Sequence, residues 1–281
     1  MSLSQTEFSF VSQLVRREAS IVLAPGKEYL VEARLIPVAR AVGAANVNEF
    51  LADLQRRPDP ANQRRVIDAL TTNETSWFRD REPFAALSDV VLPELVKSRS
   101  TLRKVRVWSA ASSSGQEAYS LAITMQEKLP PGWSYDIMGT DISTVMVKRA
   151  ETAEYTQVEV NRGLPAAQLV QYFERAGAHW RITPGLRRNV SFRLMNLTTP
   201  LPAMQPFDVI FLRNVLIYFD VATKRTVLRN VAKLLRPDGW LFLGAAETTI
   251  GIDDSYERVA AGRTSAYRVR TGAPAGAVRK G

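Results

Sequence analysis

Two carboxylates flanking a turn of small residues are the groups in this chain best placed to hold a cofactor. Residues 105–110 (Val-Arg-Val-Trp-Ser-Ala) read as a buried strand that runs into Ala111-Ser112-Ser113-Ser114-Gly115-Gln116-Glu117 and then into a helix-like stretch at 118–123. A strand that feeds a small-residue turn and a helix is how doubly wound α/β sheets receive an adenosyl-type cofactor, with the helix N-terminus close to the ligand. The following strand-like run, 137–140, ends in Asp141, an acid suited to ribose hydroxyls. Turns favour Gly and Ser for local reasons too, so this pattern alone leaves ordinary α/β packing open.

Other chemistries are closed off by composition. The chain has no cysteine and a single histidine, His179. Disulfides, thiolate nucleophiles, Cys-ligated zinc and two-histidine metal sites are therefore excluded, and no metal is expected. His179, beside Trp180, reads as structural. A length of 281 residues with 46% hydrophobic and 23% charged content fits one large or two ordinary globular domains. No apolar run approaches the roughly 18 residues of a membrane span, and the first residues lack the basic and apolar regions of a signal peptide. The expectation is a cytoplasmic protein with no membrane insertion. The net charge of +9 invites a nucleic-acid partner. Residues 1–75, however, hold nine Lys/Arg against nine Asp/Glu, and Arg268, Arg270, Arg279 and Lys280 crowd the end of the chain. Aromatics do not alternate with basic residues as on single-strand-binding surfaces. A basic surface for an acidic protein partner explains the charge at least as well, and no nucleic acid is expected.

The elements that must position these groups fall into two halves. Residues 8–70 read as helical: Phe8, Val11, Leu14 and Val15 recur at helical spacing, then Leu30, Ala33 and Val38, then Val47, Phe50, Leu51 and Leu54. Asn46 with Glu49 resembles a capping box, and Asp59-Pro60 supplies an N-cap and first-turn proline. Pro37 predicts a kink or restart. From Lys104 onward, strands at 104–110, 136–140, 190–195, 207–212, 239–244 and 265–270 alternate with helices at 115–128, 143–151, 165–175 and 221–235, which argues for a mostly parallel sheet. Pro237-Asp238-Gly239 reads as the turn before the strand at 239–244. Runs at 178–183 and 189–193 about Pro184-Gly185 predict a hairpin projecting from the sheet, and the last ten residues read as disordered.

Three segments together carry a family resemblance: Thr72-Asn73-Glu74-Thr75-Ser76-Trp77-Phe78-Arg79-Asp80, the run 109–120, and Phe207-Asp208-Val209-Ile210-Phe211-Leu212-Arg213-Asn214-Val215-Leu216-Ile217-Tyr218-Phe219-Asp220. In order and spacing they closely resemble the CheR family of chemotaxis protein methyltransferases, across nearly the whole chain. The resemblance implies an α/β fold: a Rossmann-like S-adenosylmethionine (SAM)-dependent methyltransferase sheet with an inserted small β-subdomain at about 178–193, preceded by a small all-α N-terminal domain. The division expected is 1–75 for receptor docking and 76–281 for SAM binding. The activity implied is methyl transfer from SAM to glutamate side chains of chemoreceptor cytoplasmic domains, leaving S-adenosylhomocysteine and glutamate methyl esters.

By the same resemblance, Asn73, Thr75 and Arg79 line the SAM pocket, Glu117 and Asp141 face the amino group and ribose, and Asn196 and Leu197 flank the adenine. Arg213, Asn214 and Tyr218 close over the reactive end, with Arg79 and Tyr218 as the catalytic pair. Arg34 and Arg40, on a basic helix with Lys27, are expected to meet acidic receptor helices. A monomer is expected, and a regulatory protein that occludes the active-site face is a further partner such a surface invites. The family turn is commonly Ala-Gly-Cys-Ser-Thr-Gly-Glu-Glu-Pro-Tyr-Ser. Here Ala111 replaces its glycine, which predicts crowding where backbone approaches cofactor. Each residue has a structural alternative. Arg79 could pair with Asp80 or Glu82, Tyr218 could be core, Asp141 could cap a helix starting near Ser143, Glu117 could serve the helix dipole, Asn73 and Thr75 could form a turn, and Arg34 could lie on a solvated face. Two other functions remain open: a SAM-binding regulator without catalysis, and a nucleic-acid methyltransferase. The latter is disfavoured because Arg213-Asn214-Val215-Leu216 stands where amino-methylating enzymes carry Asn/Asp-Pro-Pro-Tyr/Phe.

Overall fold

The computed structural model describes residues 3–270. Four helices come first: α1 (Gln5–Ala19), α2 (Glu28–Ala41), α3 (Val47–Arg56) and α4 (Pro60–Leu70). Their ends follow local sequence chemistry. Ser4 and Glu7 form a reciprocal capping box on α1. Asn46 accepts from Glu49 N (2.9 Å), and Glu49 in turn accepts from Ala45 N, one residue outside a true box. Asp59 caps α4, with Pro60 in its first turn. Their apolar faces enclose a core of their own that includes Phe8, Val11, Leu14, Leu35, Phe50, Leu51 and Val66.

Helix α2 departs from expectation twice. It runs unbroken through Pro37, whose own position is exposed, so the carbonyl that loses its donor faces solvent. Its buried residues are Val31, Leu35 and Ala39, whereas Leu30 and Val38 are half-buried and Ala33 is exposed. The helix carries two apolar sets at helical spacing, and contact with α4 and α3 selects the other one.

After a helical stretch made of α5 (Glu82–Ala86), a π-turn (Leu87–Val91) and α6 (Leu92–Ser98), the chain builds ten strands. They are β1 (Lys104–Ala110), β2 (Ser134–Asp141), β3 (Glu154–Tyr155), β4 (Phe173–Ala176), β5 (His179–Ile182), β6 (Val190–Leu194), β7 (Phe207–Leu212), β8 (Leu235–Leu243), β9 (Tyr256–Ala261) and β10 (Thr264–Val269). The main sheet has the order β6-β2-β1-β7-β8-β10-β9. It is parallel from β6 to β8, and β10 and β9 return antiparallel. Interposed helices are α7 (Gln116–Lys128), α8 (Thr144–Thr152), the short α9 (Gln157–Val160), α10 (Ala166–Tyr172) and α11 (Pro184–Arg187), then α12 (Val221–Ala232). The central strand β7 is buried at all six positions, as expected where helices cover both faces of a parallel sheet.

The hairpin expected at 178–193 is replaced by a different pairing. The small sheet is β3-β5-β4, and its hairpin joins β4 to β5 through Gly177-Ala178. Gly177 takes φ +62°, the backbone that a two-residue turn requires. Pro184 instead starts a helical turn, and Val190–Leu194 leaves the small sheet to lie parallel to β2 as the edge of the main one. The helix expected over 165–175 accordingly ends at Tyr172. Pro237–Gly239 is not a turn before the strand but a bulge within β8: Phe207 pairs with Leu235, and two residues later Val209 pairs with Trp240. Arg268, one of the basic residues near the end of the chain, pairs with Glu94 and stacks 3.8 Å over the Trp240 ring. Arg279, Lys280 and the segment expected to be disordered lie outside the described residues, save for Arg270 just before it.

Candidate active site

Parallel strands present their ligands at their carboxyl ends, and there the main sheet meets the helical domain around a cavity of about 890 Å³ counting its mouth. Ten of the residues singled out in the sequence line it: Asn73, Thr75, Arg79, Glu117, Asp141, Asn196, Leu197, Arg213, Asn214 and Tyr218. They come from the segment after α4, from the first turn of α7 and from the carboxyl ends of β2, β6 and β7, which the strand order β6-β2-β1-β7 sets side by side.

Beyond β1, the turn rises with Ala111 at φ +63° and Ser113 at φ +49°. Ala111 thus stands in the left-handed region that favours glycine; the departure from the family turn stores strain at the cavity wall. Ser113 fastens this turn on two sides. Its N–H donates to Asp141 (2.8 Å) and its hydroxyl to the Asn73 carbonyl (2.8 Å). Asp141, at the end of β2, also accepts from Ser143 N (2.9 Å), while Ser143 rather than Asp141 caps α8. Burial pushes the Asp141 carboxyl up from the usual range, and the N–H groups of Ser143 and Ser113 oppose that shift.

Glu117, in the first turn of α7, accepts from Ser109 Oγ (2.8 Å) and from Arg213 Nη1 (3.0 Å). Burial raises its carboxyl above the ordinary glutamate value, with the Arg213 charge pulling the other way. Arg213 follows directly on β7. Its Nη2 donates to the Arg79 carbonyl (2.9 Å) and to Asp80 (2.6 Å), and its Nε is buried without a partner. Arg213 therefore cements the wall: it joins β7, α7 and the segment that carries Arg79.

Arg79 pairs with neither Asp80 nor Glu82, which are bound to Arg213 and Arg263. Its Nη1 donates to the Glu74 carbonyl (3.0 Å). Around it Phe78, Asp80 and Arg81 all adopt positive φ (47°, 66° and 49°), the kind of strained backbone that clusters at working sites. Arg79 also borders an open groove with Trp77, Arg81 and Arg162, so it stands between the cavity and an approach from outside. Tyr218 is half-buried against the cavity and the helical core. Asn196 donates to the Glu18 carbonyl (2.9 Å) and accepts from Thr198 N (3.0 Å), which fixes Leu197 as a buried wall.

Several lining residues carried no signal. Ile142 and Met195 add to the apolar wall, and Ala19 and Ile21 arrive from the helical domain. Glu247, beyond β8, holds the loop 214–217 by its backbone. An acid a few residues past a parallel strand was the only available hint. Arg34 is half-buried and donates to the Leu70 carbonyl (3.0 Å) and to Thr72 Oγ1 (3.3 Å), so it braces the segment leading to Asn73. Arg40 is exposed, as is His179 on the small sheet.

The donor set fits SAM. Asp141 offers a carboxylate for hydroxyls, Leu197, Ile142 and Met195 offer a flat apolar wall, Glu117 is an anion for an ammonium group, and the buried Arg213 Nε is an unused donor in the wall. Among the described residues no group of three or more His, Asp or Glu could hold a metal ion, and no helix is long and apolar enough to cross a membrane.

Comparison with known proteins agrees. The family model "CheR methyltransferase, SAM binding domain" matches residues 73–264, and "CheR methyltransferase, all-alpha domain" matches 6–71. The chain is 36% identical to the chemotaxis protein methyltransferase Cher2 of Pseudomonas putida over 92% of this chain and 96% of that one. It is 37% identical to chemotaxis protein methyltransferase 1 of Pseudomonas aeruginosa over 96% and 100%. The corresponding Vibrio parahaemolyticus protein is 37% identical over 96% and 99%.

Proposed function

The chain belongs to the CheR methyltransferase family, and from that premise we propose that it methylates glutamate side chains on the cytoplasmic domains of chemoreceptors, using SAM. The observation that carries this reading is the position of Arg79, shared by the cofactor cavity and the open groove beside it. A carboxylate entering along the groove meets a guanidinium at the cavity wall, and a guanidinium grips carboxylates bidentately.

SAM supplies an electrophilic methyl group on a sulfonium. Asp141 holds the ribose end, Leu197 and Met195 pack the base, and Glu117, kept in place by Ser109 and Arg213, takes the ammonium. Glutamate has an ordinary pKa near 4.3, so the substrate arrives as the nucleophile and no general base is required. That agrees with a cavity lined, among the described residues, by neither histidine nor cysteine. The task left to Arg79 and Tyr218 is to orient and dehydrate the carboxylate, for which orientation offers at most roughly 7–11 kcal/mol. Residues 1–75 act as the docking domain and 76–281 as the catalytic one, with Arg40 reaching the receptor and Arg34 shared between docking and bracing Thr72.

The test is transfer of radiolabelled methyl from SAM to purified chemoreceptor cytoplasmic domains. Base-labile label on glutamate that is lost in Arg79→Ala is the expected result. Calorimetric SAM binding without label on any receptor would turn the reading towards a non-catalytic regulator. Arg40→Glu, at an exposed position away from the cavity, should weaken labelling while SAM still binds; intact labelling would remove the docking role.

A further inference from the structure

Glu247 does not itself line the cavity, yet it organises one wall of it. Its Oε1 accepts the N–H groups of Val215 (2.9 Å), Leu216 (2.7 Å) and Ile217 (3.3 Å), and its Oε2 accepts those of Asn214 (2.8 Å) and Gly244 (2.7 Å). Five backbone donors converge on one carboxylate. Four of them belong to the loop that presents Asn214 and Tyr218, and Asn214 itself is turned to φ +57°. A loop without strand partners must satisfy its amides somehow, and here one side chain does so for four in succession. Gly244 leaves the space: a Cβ there would sit 2.7 Å from Glu247 Oε2 and 2.9 Å from Asn214 N.

We propose that Glu247 is the positioning residue of the cofactor site, an internal anion that folds the 214–217 loop into the shape that lets Asn214, Val215 and Tyr218 close on SAM. The proposal rests on the SAM-binding site and not on the identity of the methyl acceptor. It makes an unusual prediction about isosteres. In Glu247→Gln the side-chain NH₂ must face either the two N–H groups now on Oε2 or the three now on Oε1, donor against donor. Glutamine should therefore be nearly as damaging as alanine, whereas aspartate, which keeps a carboxylate, should recover part of the loss.

Two measurements decide it. In the parent protein, hydrogen exchange of the peptide spanning 213–218 should be slowed about 100-fold or more relative to open chain, although only residues 216–218 there have helical (3-10) structure. In Glu247→Gln that protection should vanish and calorimetric SAM affinity should fall roughly tenfold to hundredfold, the equivalent of charge-assisted hydrogen bonds lost. Gly244→Ala, which displaces the carboxylate without changing charge, should reproduce both effects. A purely structural residue would lower the melting temperature and leave the affinity of the folded fraction unchanged; that result overturns the proposal. So does fast exchange of 213–218 in the parent protein, a test that stands even if the variants fail to fold. Tight SAM binding with no receptor methylation would count against the proposed acceptor and leave Glu247 untouched.

Discussion

Two buried arginines sit at opposite ends of the same strands and do different work. At the amino ends, Arg99 donates to Asp208 (2.8 Å) and to Asp238 (2.6 Å), while Asp208 also accepts from Arg106 N (2.8 Å) at the start of β1 and approaches Arg236 (3.1 Å) on β8. At the carboxyl ends, Arg213 binds Glu117 and Asp80. Each guanidinium joins two carboxylates, and each lies almost wholly out of water. In the first network Asp208 is buried and Asp238 is about half exposed to solvent, and neither they nor Arg99 line the cavity. The second leaves Nε free and opens onto a cavity. The lesson is that a buried ion pair is not a functional site by itself, nor is an unpartnered donor, since Arg236 Nε in the first network lacks a hydrogen bond as Arg213 Nε does in the second. What distinguishes the two is that Arg213 and Glu117 line the cavity.

Substitutions can break this comparison. Arg99→Ala strands Asp208, which is 1% exposed, and should cost about 3–5 kcal/mol in urea unfolding, while leaving SAM affinity of the folded protein intact. Arg213→Ala strands the buried Glu117 while Asp80 can turn to solvent, and should cost a comparable amount of stability, about 3–5 kcal/mol; unlike Arg99→Ala it should weaken SAM binding by at least about tenfold in calorimetry. Equal effects on affinity from both variants would erase the distinction. Ala111→Gly should relieve left-handed strain worth roughly 1–2 kcal/mol, offset in part by the entropy of glycine; scanning calorimetry should show a higher melting temperature with SAM affinity equal or improved. The smallest effect is a pH dependence. The Arg99 guanidinium beside Asp238 holds that carboxyl below the usual aspartate range. The stability it contributes is therefore complete above the ordinary value near 4 and is lost as pH falls through the depressed folded value. Asp238→Asn should flatten the stability profile in that acid window only, as followed by urea melts between pH 5 and pH 2.

What was legible in the sequence was what depends on local pattern. Alternation of apolar runs with helical spacing located β1, β2, β7, β8 and β10 of the main sheet, and an acid at a strand end marked Asp141. Asn196, Arg213 and Asn214 came from the family resemblance, the run 190–195 read both as a strand and as part of a projecting hairpin, and β9 went unread. What stayed hidden depends on a partner far along the chain. Helix α2 offers two apolar faces, and only its neighbours choose between them. The run 189–193 looks as suited to a hairpin as to an edge strand until β2 offers a free side. Leu235 belongs to β8 because Phe207 waits for it across a bulge. Glu247 is invisible because its importance lies in five backbone amides, which no side-chain motif records.

The helical domain has so far figured as a dock, but it also supplies Ala19, Ile21 and Thr71 to the cavity, caps α8 through Asp68 (to Thr144 N, 3.0 Å), and anchors Asn196 through the Glu18 carbonyl. Its modularity is therefore only apparent. On the proposed docking role, a chimaera given a relative's first seventy residues to change its receptor would also inherit a new ceiling for its cofactor, which would tie target choice to cofactor retention.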